Sequence, residues 1–229
     1  MPDPTATELA ARLDHTLLAA GATGAAIERL CDEARQHGFH AVCVNGVHVA
    51  RCVARLRGST VRVASVVGFP LGAGSLRARL AEADCALVDG AVELDLVLQI
   101  GALLAGDEGF VLEDLAALVR RARTSGALVK VILETGLLTP AQITRACQLA
   151  EEAGAAFVKT STGFGPRGAS LEDVQRMRAA VGERLGIKAS GGIRTHEFAC
   201  QLLAAGATRL GTSASLAILR PSLSGERKP

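Results

Sequence analysis

The spacing of the lysine residues constrains the fold of this 229-residue chain more than any other feature. The sequence contains four lysines against 21 arginines, and three of the lysines, Lys130, Lys159 and Lys188, follow one another at intervals of 29 residues. Each of the three lies in a short apolar run, LVKVILE, FVKTST or GIKAS, of the length of a buried strand. An interval of about 30 residues accommodates one strand, one helix and their loops. The spacing therefore predicts a βα repeat with a lysine on each of three successive strands.

Short apolar segments alternate with longer segments of helical periodicity along the chain, which is typical of a parallel α/β protein. Strands are predicted at 15–18, 41–45, 62–68, 92–98, 128–134, 157–161, 187–190 and 209–212. Helices are predicted at 25–36, 47–57, 76–88, 111–125, 140–153, 171–181 and 196–205. The two sets interleave, so each strand after the first is preceded by a helix.

Eight strands in a chain of this length favour a single closed (β/α)8 barrel, or TIM barrel, over residues 1–229. A short helical extension is expected before the first strand, and residues 222–229 are expected to form a flexible polar tail. The alternative is an open doubly wound sheet. Two features disfavour it: no G-x-G-x-x-G turn follows the first strand, and polar residues recur at alternate strand positions, as expected where one face lines a barrel.

Side chains alternate between the two faces of a strand, which sorts the polar residues of the predicted strands onto one face. In VELDLVL, residues 92–98, the leucines occupy even-numbered positions and the acidic residues occupy odd-numbered positions. The leucine face would pack under helices, so the polar face points into the barrel. The predicted inward set comprises Glu93, Asp95, Lys130, Glu134, Lys159 and Lys188.

Two lysines on neighbouring strands suit imine chemistry. A nucleophilic amine must be neutral, and a second ammonium group nearby favours its neutral form. Lys159 and Lys188 fit that geometry, and Asp95 is the inward carboxylate best placed to relay protons once an imine forms. The alternative is a structural ion-pair network in the barrel core.

The loops after the last two predicted strands have the composition of a phosphate site. They contain SGGIRT, which begins at Ser190, and LGTS, which ends at Ser213. In barrels, backbone N–H groups and a short helix at this position hold phosphate. Gly191, Gly192 and Gly211 would allow close backbone approach, and the hydroxyl of Ser213 would add a contact.

Composition disfavours several other classes of function. The formal net charge is only +2 and the chain has no Trp or Tyr, which disfavours nucleic-acid binding. No apolar stretch is long enough to cross a membrane. The five histidines and six cysteines form no metal-binding motif and no C-x-x-C pair, so we expect neither a metal nor a cofactor, and a reduced, cytoplasmic protein.

Eight segments, taken in their order along the chain, resemble those of a known protein family and together span nearly the whole sequence. They are LDHTLL (13–18), AVCVN (41–45), VVGFPLGA (66–73), VELDLVLQIGALLAGD (92–107), KVILET (130–135), FVKTSTGFG (157–165), IKASGGIRT (187–195) and RLGTSAS (209–215). In this order they closely resemble the deoxyribose-phosphate aldolase family. FVKTSTGF and KASGGIRT are highly specific in combination.

The resemblance implies a metal-free class I aldolase of deoxyribonucleotide catabolism. Such an enzyme reversibly cleaves 2-deoxy-D-ribose 5-phosphate to D-glyceraldehyde 3-phosphate and acetaldehyde. Lys159 would form the Schiff base, Lys188 would be the second lysine that keeps it neutral and transfers protons, and Asp95 would be the acidic partner. The resemblance also places Cys43 and Gly163 in the substrate pocket, with an inert buried thiol as the alternative for Cys43, and it implies a homodimer. Another class I phosphosugar aldolase and a non-catalytic phosphosugar-binding barrel remain as alternatives.

The chain departs from the family pattern in a few segments. The lysine that usually follows DHTLL is absent, and no tyrosine is available for the C-terminal position that some members place near the active site. The substituted positions are Ala19, Ala20, Gly46, Gln99, Pro166 and Arg167. None of these changes removes the two lysines or the aspartate, and Arg167 is expected to offer an additional phosphate contact.

Overall fold

Eight parallel strands pair in sequence order, and the last pairs with the first, which closes the sheet into a barrel. The computed structural model describes residues 4–219. The strands are β1 (Leu13–Leu17), β2 (Ala41–Val44), β3 (Arg62–Val67), β4 (Glu93–Val97), β5 (Leu128–Ile132), β6 (Phe157–Lys159), β7 (Gly186–Ser190) and β8 (Arg209–Thr212). The predicted (β/α)8 fold is confirmed, and every predicted strand overlaps an observed one. The polar tail predicted at 222–229 lies outside the described residues.

Helices connect the strands on the outside of the barrel. They are α1 (Ala6–Ala10), α2 (Gly24–His37), α3 (Val49–Arg55), α4 (Leu76–Val88), α5 (Ile100–Leu104), α6 (Glu108–Thr124), α7 (Pro140–Glu152), α8 (Leu171–Val181), α9 (His196–Ala204) and α10 (Ser215–Leu219). The helical extension before β1 is present as α1. Helices α5 and α10, of five residues each, were not predicted.

Local hydrogen bonds fix where the helices begin. At α7, Thr139 and Gln142 form a reciprocal capping box around Pro140, as the sequence signal predicts. Helix α6 begins at Glu108, earlier than predicted, because the carboxylate of Asp107 accepts a hydrogen bond from the Phe110 amide. The capping signals therefore predict helix starts well where the cap lies directly before the apolar periodicity.

An apolar layer between the strands and the helices forms the main core. Leu94 and Leu96 of β4 are buried in this layer together with Leu115 and Leu118 of α6. Burying one leucine side chain stabilises a fold by about 1.5 to 3 kcal/mol. The outward orientation predicted for the leucines of β4 is confirmed, and the alternate residues of that strand point into the barrel.

Strand register brings the inward polar residues to matching heights. Asp95 of β4 is paired in register with Lys130 of β5, and Lys159 of β6 is paired with Lys188 of β7. Because all strands are parallel, their carboxyl ends open at the same end of the barrel. The polar interior is therefore continuous with the loops at that end.

Candidate active site

The barrel interior contains a cluster of ionisable side chains, here called the ion cluster. Its members are Asp14, Glu93, Asp95, Lys130, Lys159, Lys188 and Arg209, each at most 7% exposed. If all seven were ionised, four positive charges would face three negative ones. A buried uncompensated charge is costly. The cluster as a whole therefore favours the loss of a proton from one of its three amines.

Asp95 lies at the centre of the ion cluster. Its Oδ1 accepts a hydrogen bond from Lys130 Nζ at 2.7 Å, and its Oδ2 accepts one from Lys159 Nζ and one from Lys188 Nζ, each at 2.8 Å. Burial alone would raise the pKa of this carboxyl group, but the three neighbouring amines outweigh burial and hold it well below its usual range. Asp95 is therefore an ionised acceptor shared by three amines.

Two of the three amines each have two close carboxylate partners. Lys130 Nζ lies 2.6 Å from Glu93 and 2.7 Å from Asp95, and Lys188 Nζ lies 2.5 Å from Asp14 and 2.8 Å from Asp95. Burial lowers the pKa of both lysines, but the carboxylates more than offset it, so both pKa values are raised. Lys130 and Lys188 are accordingly ammonium ions.

Lys159 differs from the other two amines. It is the last residue of β6, its one carboxylate contact within the described residues is Asp95, and it lines a cavity although only 2% of it is exposed. Its Nζ and that of Lys188 both contact the same oxygen atom of Asp95, so a positive charge lies beside it. Of the three amines, Lys159 therefore has the fewest carboxylate partners and is the one placed to meet a substrate in the cavity.

A cavity of about 560 Å³ opens above Lys159 at the carboxyl end of the barrel. Loops after β1, β6, β7 and β8 form its wall. The lining residues include six predicted for substrate or phosphate: Gly163, Ser190, Gly191, Gly192, Gly211 and Ser213. The structure thus brings the predicted phosphate loops and the predicted nucleophile to one cavity.

Two of the cavity glycines are required by close packing. A Cβ atom on Gly211 would lie 2.8 Å from Cε of Lys188, so this glycine makes room for the second lysine. Gly191 has φ of 86°, and a Cβ atom there would lie 2.9 Å from Cα of Gly168. Gly211 was predicted only for its backbone approach to phosphate, and the structure gives it a further role inside the barrel.

Cys43 lies inside the barrel but is not among the described residues that line the cavity. It is fully buried and packs with Leu18, Ala64 and Val66. Its thiol lies 3.8 Å from Asp95 Oδ2. Burial, together with the charge of Asp95, raises the pKa of the Cys43 thiol to about 11. Cys43 thus lies beside Asp95 but behind the described residues that line the cavity, which favours the alternative of an inert buried thiol over a place in the pocket wall.

Arg167, expected from the sequence to contact phosphate, is not among the described residues that line the cavity. Its guanidinium forms a two-pronged ion pair with Asp173 and donates a hydrogen bond to the Thr135 carbonyl at 3.1 Å. Both partners belong to the protein, so the side chain is directed to α8 and the loop after β5. Arg167 therefore fastens the loop between β6 and α8.

Several residues of the site were missed by the sequence analysis. Asp14 was overlooked because the first strand was predicted to begin at His15, although the alternation of side chains in LDHTLL would have placed it inward. Arg209 lies two residues before Gly211 on the same strand, so the alternation of side chains would have placed it inward as well. Arg194 and Phe164 line the cavity from loops, where no periodicity identifies them.

Residues 4–219 show neither a metal-binding cluster nor a membrane-spanning helix. Within that range, no group of three or more His, Cys, Asp or Glu side chains is arranged to bind a metal ion. Over the same residues, no helix combines the length and the apolar character needed to cross a membrane.

Comparison with known proteins identifies the family of this chain. A family model described as DeoC/LacD family aldolase matches residues 9–221. The deoxyribose-phosphate aldolase of Thermococcus kodakarensis is 51% identical over 214 residues, which cover 93% of this chain and 96% of the relative. The enzyme of the same name from Aciduliprofundum boonei is 49% identical, with 93% and 96% coverage.

A solved structure shows the same fold. The tetrameric deoxyribose-phosphate aldolase from Aeropyrum pernix superposes with a TM-score of 0.88 at 35% identity, covering 94% of this chain and 91% of its own. The family match spans far more than half of the sequence, and the relatives align over nearly their whole lengths. The chain therefore belongs to the DeoC/LacD family of aldolases.

Proposed function

We propose that this chain is a deoxyribose-phosphate aldolase that cleaves 2-deoxy-D-ribose 5-phosphate reversibly through an imine on Lys159. The observation that carries the proposal is the sharing of Asp95 Oδ2 by Lys159 and Lys188 at the base of the cavity. One amine faces the cavity, and the other is held charged by Asp14. That is the pairing an amine nucleophile needs.

The proposed reaction begins with attack of the neutral Lys159 amine on the C1 aldehyde of the substrate. Loss of water gives a protonated imine, which accepts the electron pair of the C2–C3 bond as that bond breaks. A base removes the proton of the C3 hydroxyl group, and D-glyceraldehyde 3-phosphate leaves. The enamine is then protonated at C2, and hydrolysis releases acetaldehyde and the free amine.

Asp95 and Lys188 are proposed to carry the protons of these steps. Asp95 contacts all three amines of the ion cluster, so a proton can pass between Lys159 and Lys188 across a single oxygen atom. Asp14 lies 2.5 Å from Lys188 and provides a second negative charge next to that amine. These contacts support a relay within the ion cluster.

The phosphate group of the substrate is assigned to the loops after β7 and β8. Gly191, Gly192 and Ser213 line the cavity on this side, and Arg194 lies among them. Among the described cavity residues, Arg194 and Lys159 are the cations. A guanidinium and glycine-rich backbone suit a phosphate dianion. The aldehyde end of the substrate would then reach Lys159.

The proposal extends to the organisation of the protein. Residues 1–229 would form one catalytic domain located in the cytoplasm. The chain would be a homo-oligomer, with the dimer implied by the family resemblance as the first expectation. Light scattering in solution would distinguish that dimer from a tetramer such as the Aeropyrum pernix relative.

A coupled assay tests the proposed function. The protein is incubated with 2-deoxy-D-ribose 5-phosphate, and acetaldehyde release is followed through NADH oxidation by alcohol dehydrogenase, with the chelator removed before detection. Equal rates with and without prior chelator treatment are expected. An enzyme that releases no acetaldehyde but cleaves a longer phosphorylated ketose would instead be another class I aldolase. Binding without any cleavage would indicate a non-catalytic barrel.

A further inference from the structure

A row of three polar side chains lies on the outer side of the barrel wall, next to the cavity. His15 of β1 hydrogen-bonds through Nδ1 to the hydroxyl of Ser215, at 2.9 Å, and through Nε2 to the carboxylate of Glu33, at 2.8 Å. Ser215 is the first residue of α10, and Glu33 belongs to α2. This row, here called the Glu33–His15–Ser215 array, plays no part in the proposed imine chemistry.

The direction of both hydrogen bonds follows from the chemistry of the groups. An ionised carboxylate only accepts hydrogen bonds, so Nε2 of His15 carries a proton and donates it to Glu33. Burial lowers the pKa of His15, an effect that the nearby Glu33 only partly offsets, so the ring is neutral at pH 7. Nδ1 is then the acceptor, and Ser215 donates its hydroxyl proton to it at 2.9 Å rather than to the more distant Thr212 carbonyl at 3.4 Å.

Ser215 cannot serve as a nucleophile in spite of this arrangement. Its side chain is fully buried, and His15 is only 4% exposed, so no substrate atom reaches the hydroxyl. The accessible end of the array is Glu33, whose side chain is 37% exposed. The array can therefore influence the reaction only by holding neighbouring residues in position.

The array is attached to the end of the loop that follows β8. Ser215 ends the segment Thr212–Ser213–Ala214–Ser215, whose first two residues line the cavity. The front of the segment is fixed by Thr212 Oγ1, which donates to the Ile193 carbonyl at 2.7 Å and accepts from the Ala214 amide at 2.9 Å. The rear is fixed by the bond from Ser215 to His15. Ser213 therefore lies between two residues, Thr212 and Ser215, that are held by hydrogen bonds.

We propose that the Glu33–His15–Ser215 array positions the 212–215 segment for the phosphate group of the substrate. His15, Glu33 and Ser215 are positioning residues that determine affinity for phosphorylated substrates and leave the imine steps unchanged. The inference rests on the proposed function, because it takes the loop after β8 as part of the phosphate site. There are two alternatives: the array has only a structural role, or it acts on Lys188 through Asp14, the residue before His15 in the chain.

Substrates with and without the phosphate group separate these possibilities. For Ser215→Ala, we expect KM for 2-deoxy-D-ribose 5-phosphate to rise about five- to tenfold, the loss of one neutral hydrogen bond, with kcat nearly unchanged. The kcat/KM for 2-deoxy-D-ribose, which lacks phosphate, should stay the same. Ser125→Ala, a serine-to-alanine change at the exposed end of α6, is the matched control and should alter neither substrate.

Glu33→Ala gives a second test at the accessible end of the array, where the variant is expected to fold. It should also raise KM for the phosphorylated substrate, by about two- to threefold. The effect is smaller because His15 keeps its hydrogen bond to Ser215 and loses only the one to Glu33. Equal losses of kcat/KM on both substrates would overturn the proposal, as would no change on either. Wild-type protein that cleaves neither substrate would overturn the proposed function and this inference together, whereas an active wild type with an unchanged substrate ratio in both variants would overturn this inference alone.

Discussion

The two ends of the ion cluster use the same chemistry for different purposes. Around Lys130, the cluster is closed: the amine has Glu93 and Asp95 as close partners, and Arg209 contacts Glu93 from the far side at 3.4 Å. Around Lys159, the cluster is open: the amine has Asp95 as its carboxylate contact in the described chain and faces the cavity. We propose that fewer carboxylate partners and access to the cavity, rather than burial, make Lys159 the reactive amine, since both lysines are buried.

Removal of the open-end amine should have the largest effect on activity. Lys159→Ala is expected to reduce kcat for acetaldehyde release by about 10⁴-fold or more, because no other amine faces the cavity among the described residues. The variant should remain folded, since Asp95 keeps two ammonium partners. Steady-state kinetics and thermal unfolding measure the two effects. Activity within tenfold of wild type would mean that another group carries the chemistry.

Asp95 belongs to both ends, so its substitution should affect both activity and stability. Asp95→Asn is expected to lower kcat by about 10² to 10⁴-fold, the usual range for loss of a proton carrier. It should also destabilise the fold by about 3 to 5 kcal/mol, because three buried amines lose their shared carboxylate. Urea unfolding measures the stability, and deuterium incorporation into acetaldehyde reports proton transfer. Wild-type rates of cleavage and of deuterium incorporation would contradict the relay.

A lysine-to-leucine substitution at each end of the ion cluster should give different results. Lys188→Leu removes the positive charge beside Lys159, so we expect slower imine formation and a shift of the pH–rate profile to higher pH. Lys130→Leu, its matched control, should destabilise the fold by about 3 kcal/mol through loss of its partners at Glu93 and Asp95 and shift the profile less. Equal shifts of the pH–rate profile in the two variants would erase the distinction between the ends.

The ion cluster should also give stability a broad plateau in pH. The pKa values of Asp14, Glu93 and Asp95 are lowered in the fold, so their contribution is present above about pH 4 and is lost as pH falls further. The pKa values of Lys130 and Lys188 are raised, so theirs is present below about pH 10.4 and is lost above it. Urea midpoints measured from pH 3 to pH 11 check this, and a maximum below pH 4 would contradict it.

Cys43 should give the smallest effect, because it is neutral and lies behind the cavity wall. Cys43→Ala is expected to change kcat/KM by about threefold or less, the cost of one weak contact near Asp95. In the wild type, iodoacetamide should modify the exposed Cys85 and leave Cys43 unlabelled, since its thiol pKa is raised to about 11. Mass spectrometry of the alkylated protein distinguishes the two cysteines.

The orientation of the strand residues could be predicted because the alternation of side chains is a fixed property of the backbone. It placed Asp95, Lys130, Lys159 and Lys188 in one interior before any coordinate was known. The same rule missed Asp14 only because the start of β1 was assigned two residues late. Such an error arises from a weak apolar pattern at the strand start.

Contacts made by loops could not be predicted in this way. Arg167 pairs with Asp173 of α8, and nothing in the local sequence distinguishes that pairing from a contact with phosphate. The covering of Cys43 depends on Leu18 and Phe69, which come from other parts of the barrel. Loop geometry is decided by tertiary packing, so it required the structure.

Reductive trapping tests directly whether Lys159 is the reactive amine. The protein is treated with borohydride in the presence of 2-deoxy-D-ribose 5-phosphate, digested and mapped by mass spectrometry, which is simple because the chain has only four lysines. We expect a covalent adduct on Lys159 that is absent without substrate. An adduct on Lys130 or Lys188, or no adduct on a protein that still releases acetaldehyde, would contradict it.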